Sequence, residues 1–202
     1  MKKLVSILVL VLATAQQSNA QQESFLNKVS LEAGYGYNLA VSPDNIDAAT
    51  VSGFNTVQLG ATYQLNTLWG VRGTYANTTF KDKDVSRAAI NYNKITLEAT
   101  FNMVEAISGV TNSPFEVVAH AGFGLNFGKS ETIDAVDKIA NAQIGIKPQY
   151  QITNRVAVFV DGAYIMNLKQ NYGFNGMHIP GESETTGSYI TGLVGVAVKL
   201  GK

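Results

Sequence analysis

The chain has 202 residues, 15 basic and 15 acidic side chains, and no cysteine. Without a basic patch it has no means of recruiting nucleic acid, and without cysteine it can form neither a disulfide framework nor a thiolate metal site. Hydrogen bonding and packing must therefore supply its stability. The first element is MKKLVSILVLVLATAQQSNA, with Lys2 and Lys3, an apolar run from Leu4 to about Ala15, and small residues at Ser18 and Ala20. It reads as a cleaved secretory signal peptide over 1–20, because the apolar run falls short of the roughly 20 residues a spanning helix needs. Residues 21–202 form one slightly acidic domain with no linker, low-complexity tract or long 3.6-period stripe.

Period-two alternation follows in eight segments. The first sets Val29, Leu31, Ala33, Tyr35 and Tyr37 against Ser30, Glu32, Gly34 and Gly36; the second sets Val57, Leu59, Ala61 and Tyr63 against Thr56, Gln58, Gly60 and Thr62. The third opposes Trp69, Val71, Gly73 and Tyr75 to Gly70, Arg72 and Thr74, and the fourth opposes Ile95, Leu97, Ala99 and Phe101 to Lys94, Thr96, Glu98 and Thr100. In the fifth, Phe115, Val117, Ala119, Ala121 and Phe123 alternate with Glu116, Val118, His120 and Gly122. The sixth alternates Ala142, Ile144 and Ile146 with Asn141, Gln143, Gly145 and Lys147, and Pro148, which cannot donate to a ladder, predicts a bulge or local break. The seventh pairs the row Val156, Val158, Val160 and Tyr164 with Ala157, Phe159 and Asp161; the eighth pairs Ile190, Val194, Val196 and Val198 with Thr191, Gly195 and Lys199.

The connections alternate too. Residues 39–53, 79–90, 128–139 and 169–187 read as long polar loops, whereas Asn66-Thr67 and Thr153-Asn154 read as tight turns. Long loops at one end and short turns at the other are the pattern of an outer-membrane barrel with both termini in the periplasm. The connection VEAISGVTNSP at 104–114 is the exception, being long for a periplasmic turn.

Orientation follows from four features. The polar rows are Thr, Gln, Asn and Gly with few charges, unlike a solvated sheet. Aromatics gather near strand ends: Tyr35, Tyr37, Tyr75, Tyr92, Phe127, Tyr164 and Tyr189 toward the loops, and Tyr63, Trp69, Phe101, Phe115 and Tyr150 toward the turns, as two interfacial girdles. Segments of about 9 to 11 residues match the hydrocarbon thickness when tilted. Glycines crowd the polar row, which suits a narrow lumen. A soluble lipocalin-type barrel would instead carry an early Gly-x-Trp signature and an apolar lumen. The expected fold is an all-β, eight-stranded antiparallel up-and-down transmembrane β-barrel, apolar row outward.

VSLEAGYGYN at 29–38, LGATYQL at 59–65, AHAGFG at 119–124, TNRVAV at 153–158, QNYGFNG at 170–176 and the closing KLGK resemble the transmembrane domain of the OmpA family, small barrels of Gram-negative outer membranes. The resemblance covers nearly all of the mature chain and implies insertion by the outer-membrane assembly machinery. Two departures stand out: the family's peptidoglycan-binding domain is not expected here, so cell-wall anchoring is not carried over, and the end Leu200-Gly201-Lys202 lacks a terminal aromatic.

The polar rows place Glu32, Arg72, Lys94, Glu98, Glu116, His120, Lys147, Asp161 and Lys199 inside a lumen that side chains can fill. Uncompensated buried charge costs several kcal/mol. Glu32, Glu98, Glu116 and Asp161 are therefore expected to pair with Arg72, Lys147 and Lys199, with His120 alongside. Glu131, Asp134 and Asp137 do not have the spacing of a calcium loop and read as solvated loop carboxylates, and Lys81, Asp82, Lys83 and Asp84 read as a solvated loop tip. His178 with Ser183 and Glu184 in one loop is a weak match to a nucleophile constellation. The expected role is structural, in envelope integrity or in surface interaction through the long loops, with no catalytic site, metal or cofactor. The alternatives are a porin-like small-solute pore and a lipid A-modifying enzyme. Expected partners are outer-membrane lipids, lipopolysaccharide and, for an accessory subunit, a larger outer-membrane complex.

Overall fold

The eight alternating runs become strands β1 (Val29–Ser42), β2 (Ser52–Gln64), β3 (Trp69–Lys81), β4 (Ala88–Asn102), β5 (Phe115–Ser130), β6 (Val136–Gln151), β7 (Val156–Gln170) and β8 (Thr185–Lys199), with a short helix α1 (Met103–Ser108) after β4. Each strand pairs antiparallel with its sequence neighbours, and β1 pairs with β8 to close the barrel. The computed structural model describes residues 25–42, 51–81, 88–111, 113–131, 134–179 and 185–201; the signal segment 1–20 lies outside them. Closure leaves no unpaired strand edge, so the backbone is satisfied without solvent.

The turn end is set by short side chains. Between β2 and β3, Asn66 Oδ1 accepts from the backbone N–H of Leu68 (2.9 Å) and Trp69 (2.7 Å). Between β6 and β7, Thr153 Oγ1 does the same for Arg155 (3.2 Å) and Val156 (3.0 Å). The long 104–114 connection begins with α1. Asn102 caps it by accepting from the Glu105 N–H at 3.2 Å, and Gly109 ends it in the left-handed region at φ 67°. Pro148 produces no register shift. Pairing of β6 with β7 skips Lys147 and Pro148 and resumes in the same register at Gln149–Phe159, a local break rather than a bulge.

At the loop end the strands run further than the alternation suggested. β1 continues to Ser42, β3 to Lys81, β5 to Ser130 and β7 to Gln170, so the ends of 39–53, 79–90, 128–139 and 169–187 are barrel wall. The reason is an inversion of polarity along the wall. In the lower part, Val57, Ile95, Leu97, Phe123, Leu125, Ile144, Val160 and Val194 are exposed on the outside while Arg72, Glu98 and Asp161 are buried inside. In the upper part the inner row turns apolar, with Phe80, Ile90, Tyr92, Ile139, Ile165 and Tyr189 fully buried. On β3 and β4 the outer row turns polar at Asn77, Thr79, Asn91 and Asn93, and on β5 and β6 Lys129 and Lys138 alternate with Phe127 and Val136. An apolar outer row was the criterion for a spanning segment, and it fails where the wall has a core of its own.

Candidate functional site

The lumen holds three layers. At mid-barrel, Arg72 is 1% exposed and stands among three carboxylates. Its Nε donates to Glu32 Oε1 at 2.5 Å and its Nη2 to Asp161 Oδ2 at 2.7 Å, while Nη1 faces Glu98 Oε2 at 3.5 Å. Lys147 Nζ donates to the other oxygen of Glu32 at 2.6 Å and lies 5.2 Å from the centre of the Phe159 ring. His120 sits between two acids, with Nδ1 2.5 Å from Glu98 Oε2 and Nε2 3.0 Å from Asp161 Oδ1. Thr74 Oγ1 donates to Glu98 Oε1 at 3.2 Å. Three anions thus face Arg72, Lys147 and an imidazole that can balance the third only when doubly protonated.

Room for these side chains comes from the next strand. Glu32 lies opposite Gly60, Glu98 opposite Gly122 and His120 opposite Gly145. A Cβ on Gly60 would come within 2.7 Å of Glu32 Oε1, and one on Gly122 within 2.8 Å of Glu98 Cγ. Each long charged side chain lies across a neighbour that has none, and a one-residue slip would drive it into a side chain.

Above this layer, Lys94 bonds to Gln143, and Asn126 Nδ2 donates to Asn167 Oδ1 at 2.7 Å and to the Tyr189 hydroxyl at 3.4 Å. Four rings then fill the bore. Phe80 lies 4.7 Å from Phe174, 5.5 Å from Tyr92 and 5.3 Å from Tyr189, centre to centre. Phe174 belongs to no strand. It reaches the bore because Asp137 clamps the chain after β7: Oδ2 accepts from Asn171 N at 2.7 Å and Oδ1 from Asn171 Nδ2 at 2.9 Å. Ser130 Oγ further donates to Gly176 O at 2.7 Å.

Below the charged layer, a cavity of about 440 Å³ opens at the turn end. Lys147 lies at its inner end, and Glu116, Lys199, Lys28 and Arg155 are among its lining residues. Two of the expected network residues are here rather than in the cluster: Glu116 accepts from Gln149 Nε2 at 2.5 Å, and Lys199 is exposed. Alternation assigns a residue to a face and says nothing of its depth. Glu32, Arg72, Glu98, His120, Lys147 and Asp161 are brought together. Glu98 meets Arg72 and His120, and Lys147 goes to Glu32.

The girdle needs a correction. Tyr35, Tyr75, Trp69, Phe115, Tyr150 and Tyr164 are exposed on the outside, and Tyr37, Tyr63 and Phe101 are partly so. Tyr189 and Tyr92, however, are 0% exposed and point inward as part of the ring cluster. They follow the inner row into the region where it turns apolar. Asp137 is likewise no solvated loop carboxylate but a buried clamp. Sequence reasoning missed Phe174, whose signal was an aromatic two residues after Tyr172 in an otherwise polar stretch.

The arrangement holds charge rather than activating a nucleophile. Both nitrogens of His120 face carboxylates, and no hydroxyl is bonded to it among the described contacts. His178 pairs with Tyr172 in a single bridge, with Nδ1 3.1 Å from Ile179 O, while Ser183 and Glu184 lie outside the described residues.

No protein-family model matches the chain, and neither does any curated protein sequence. Solved structures do. The neisserial surface protein A superposes with a TM-score of 0.61 at 14% identity, over 85% of this chain and 97% of that one. The outer membrane protein OprG from Pseudomonas aeruginosa gives 0.51 at 14% identity, over 87% and 98%. The fold is that of a small outer-membrane barrel. At such identity the likeness carries the fold alone.

Proposed function

We propose that this chain is an integral barrel of a Gram-negative outer membrane, with both termini on the periplasmic side, that serves envelope structure or surface contact and does not conduct solutes. The OmpA-like strand patterns, the secretory start and the exposed apolar rows of the lower wall support the location. A contiguous apolar band of this kind is far larger than soluble monomers expose. The observation that carries the role is the double closure of the lumen: the Arg72 cluster at mid-barrel and the Phe80–Tyr92–Phe174–Tyr189 cluster above it. A solute path would need both to part, and the lower one is bound by charge-assisted hydrogen bonds in a water-poor interior. The contact surface is the upper wall together with the loops above it. The partners this reading entails are outer-membrane lipids, the assembly machinery during insertion and, for an accessory subunit, a neighbouring envelope protein. Planar bilayers containing the purified protein should show no stable conductance steps. Reproducible large steps would overturn the structural role in favour of the porin-like one.

A further inference from the structure

The outer wall of β3 to β6 changes character over one row of residues. Below the change, cross-strand neighbours Tyr75, Ile95 and Leu125 are exposed and apolar. One row up stand Asn77, Asn93, Phe127 and Lys138, and the next is Thr79, Asn91, Lys129 and, on β6, the exposed Val136.

The amides of these two rows form a ladder on the outside of the barrel. Tyr75 OH donates to Asn93 Oδ1 at 2.7 Å, Asn77 Nδ2 to Asn91 and Asn93 Oδ1 at 3.0 Å each, and Asn91 Nδ2 to Thr79 Oγ1 at 2.7 Å. Lys129 and Lys138 are exposed beside it, and Glu131 and Asp134 bound it on the loop side.

Directly beneath lies a shallow apolar groove on the same wall, lined among others by Leu59, Ala61, Tyr75, Ile95, Leu97 and Leu125. Its floor is open because Gly73 has no side chain, and a Cβ there would meet nothing within 4 Å. Tyr75 and Phe127 belong to the groove and also flank the polar rows.

We propose that this wall binds one phosphorylated glycolipid of the outer leaflet, its acyl chain in the Gly73 groove and its phosphosugar headgroup on the amide ladder and lysines. The inference rests on the membrane reading above. Oriented amides offer both donors and acceptors to sugar hydroxyls, and Lys129 and Lys138 supply point charges for phosphate. The continuity of groove and ladder selects a membrane-anchored ligand over a free phosphosugar, since a soluble sugar has no use for an apolar groove. The adjoining loop ends of β1 and β2 are apolar instead, with Val41 and Phe54 exposed.

The test uses the full chain folded in detergent micelles, with native mass spectrometry reading retained lipid. Probes are bis-phosphorylated lipid A, phosphatidylglycerol and the deacylated bis-phosphorylated disaccharide. Lipid A should be retained about tenfold better than phosphatidylglycerol. The double variant Lys129→Ala with Lys138→Ala should reduce that retention, as should Gly73→Leu, which fills the groove. Both variants should keep the heat-dependent gel mobility of a folded barrel. Equal retention of both lipids, competition by the deacylated sugar as strong as by lipid A, or variants that bind like the parent would overturn the glycolipid site while the folded barrel stands. A chain that stays monomeric in buffer without detergent would overturn the site and the membrane reading together.

Discussion

Arg72 is the residue on which the lumen turns. It touches Glu32, Glu98 and Asp161, from three other strands, and is the one guanidinium in the described cluster. Its removal leaves carboxylates buried with too little opposing charge, a loss of about 3 to 5 kcal/mol. Arg72→Met should therefore lower the urea midpoint of the folded barrel in lipid vesicles by that equivalent. Glu116→Gln, at the open mouth, should leave it nearly unchanged, and equal losses would show that depth does not matter. Tyr189 and Tyr164 make a second pair. Tyr189→Ala opens a cavity in a ring cluster and should cost about 3 to 5 kcal/mol, whereas Tyr164→Ala, on the outer face, should cost about 1 kcal/mol or less. A girdle role for Tyr189 would reverse that order. The cluster's acids, its two cations and His120 were legible because period-two alternation fixes the face of each residue. The exclusion of Glu116 and Lys199 was not, because nothing in a strand pattern encodes height along the bore.

At the level of elements, existence and order of all eight strands could be read from alternation, and the tight turns from Asn66 and Thr153. The strand ends toward the loops could not. Polar Asn, Thr and Lys on an outer row look like loop residues until Phe80, Ile90, Ile139 and Ile165 on the inner row are recognised as a core. The segment after β7 shows how that core is capped. Asp137 on β6 holds Asn171 through two hydrogen bonds and so delivers Phe174 to the other three rings. Asp137→Ala should release residues 171–179 without unfolding the barrel. Proteolysis of the vesicle-inserted protein should then cleave this segment, with the strands protected; an unchanged digestion pattern would mean that the ring contacts alone hold it.

For the molecule as a whole, the inverted polarity implies, on the proposed membrane reading, that the barrel is taller than the bilayer. A strand of 15 residues such as β8, at about 3.3 Å per residue and tilted by about 40°, spans roughly 38 Å, against an apolar band of about 25 Å. The surplus has to stand in the headgroup layer or in water, where a wall needs a polar outside and an apolar inside. β3 and β4 show this above Tyr75, and β5 and β6 do so at Lys129 and Lys138 while keeping Phe127 and Val136 on the outer face. On the proposed membrane reading, the lower barrel has lipid around it and ion pairs within, the upper barrel has an apolar core, and the boundary on β3 falls between Tyr75 and Asn77. Because the chain has no cysteine, single cysteines can place nitroxide labels without further engineering. Labels at Ile95→Cys and Leu97→Cys should collide more with dissolved oxygen than with a water-soluble nickel chelate. Labels at Asn77→Cys and Asn91→Cys should show the reverse, although Asn77 is only one row, about 7 Å, from Tyr75. Oxygen-dominated collisions at both asparagines would place the ladder in hydrocarbon, where unsatisfied amides are costly, and would remove both the boundary and the reason for the polar outer wall.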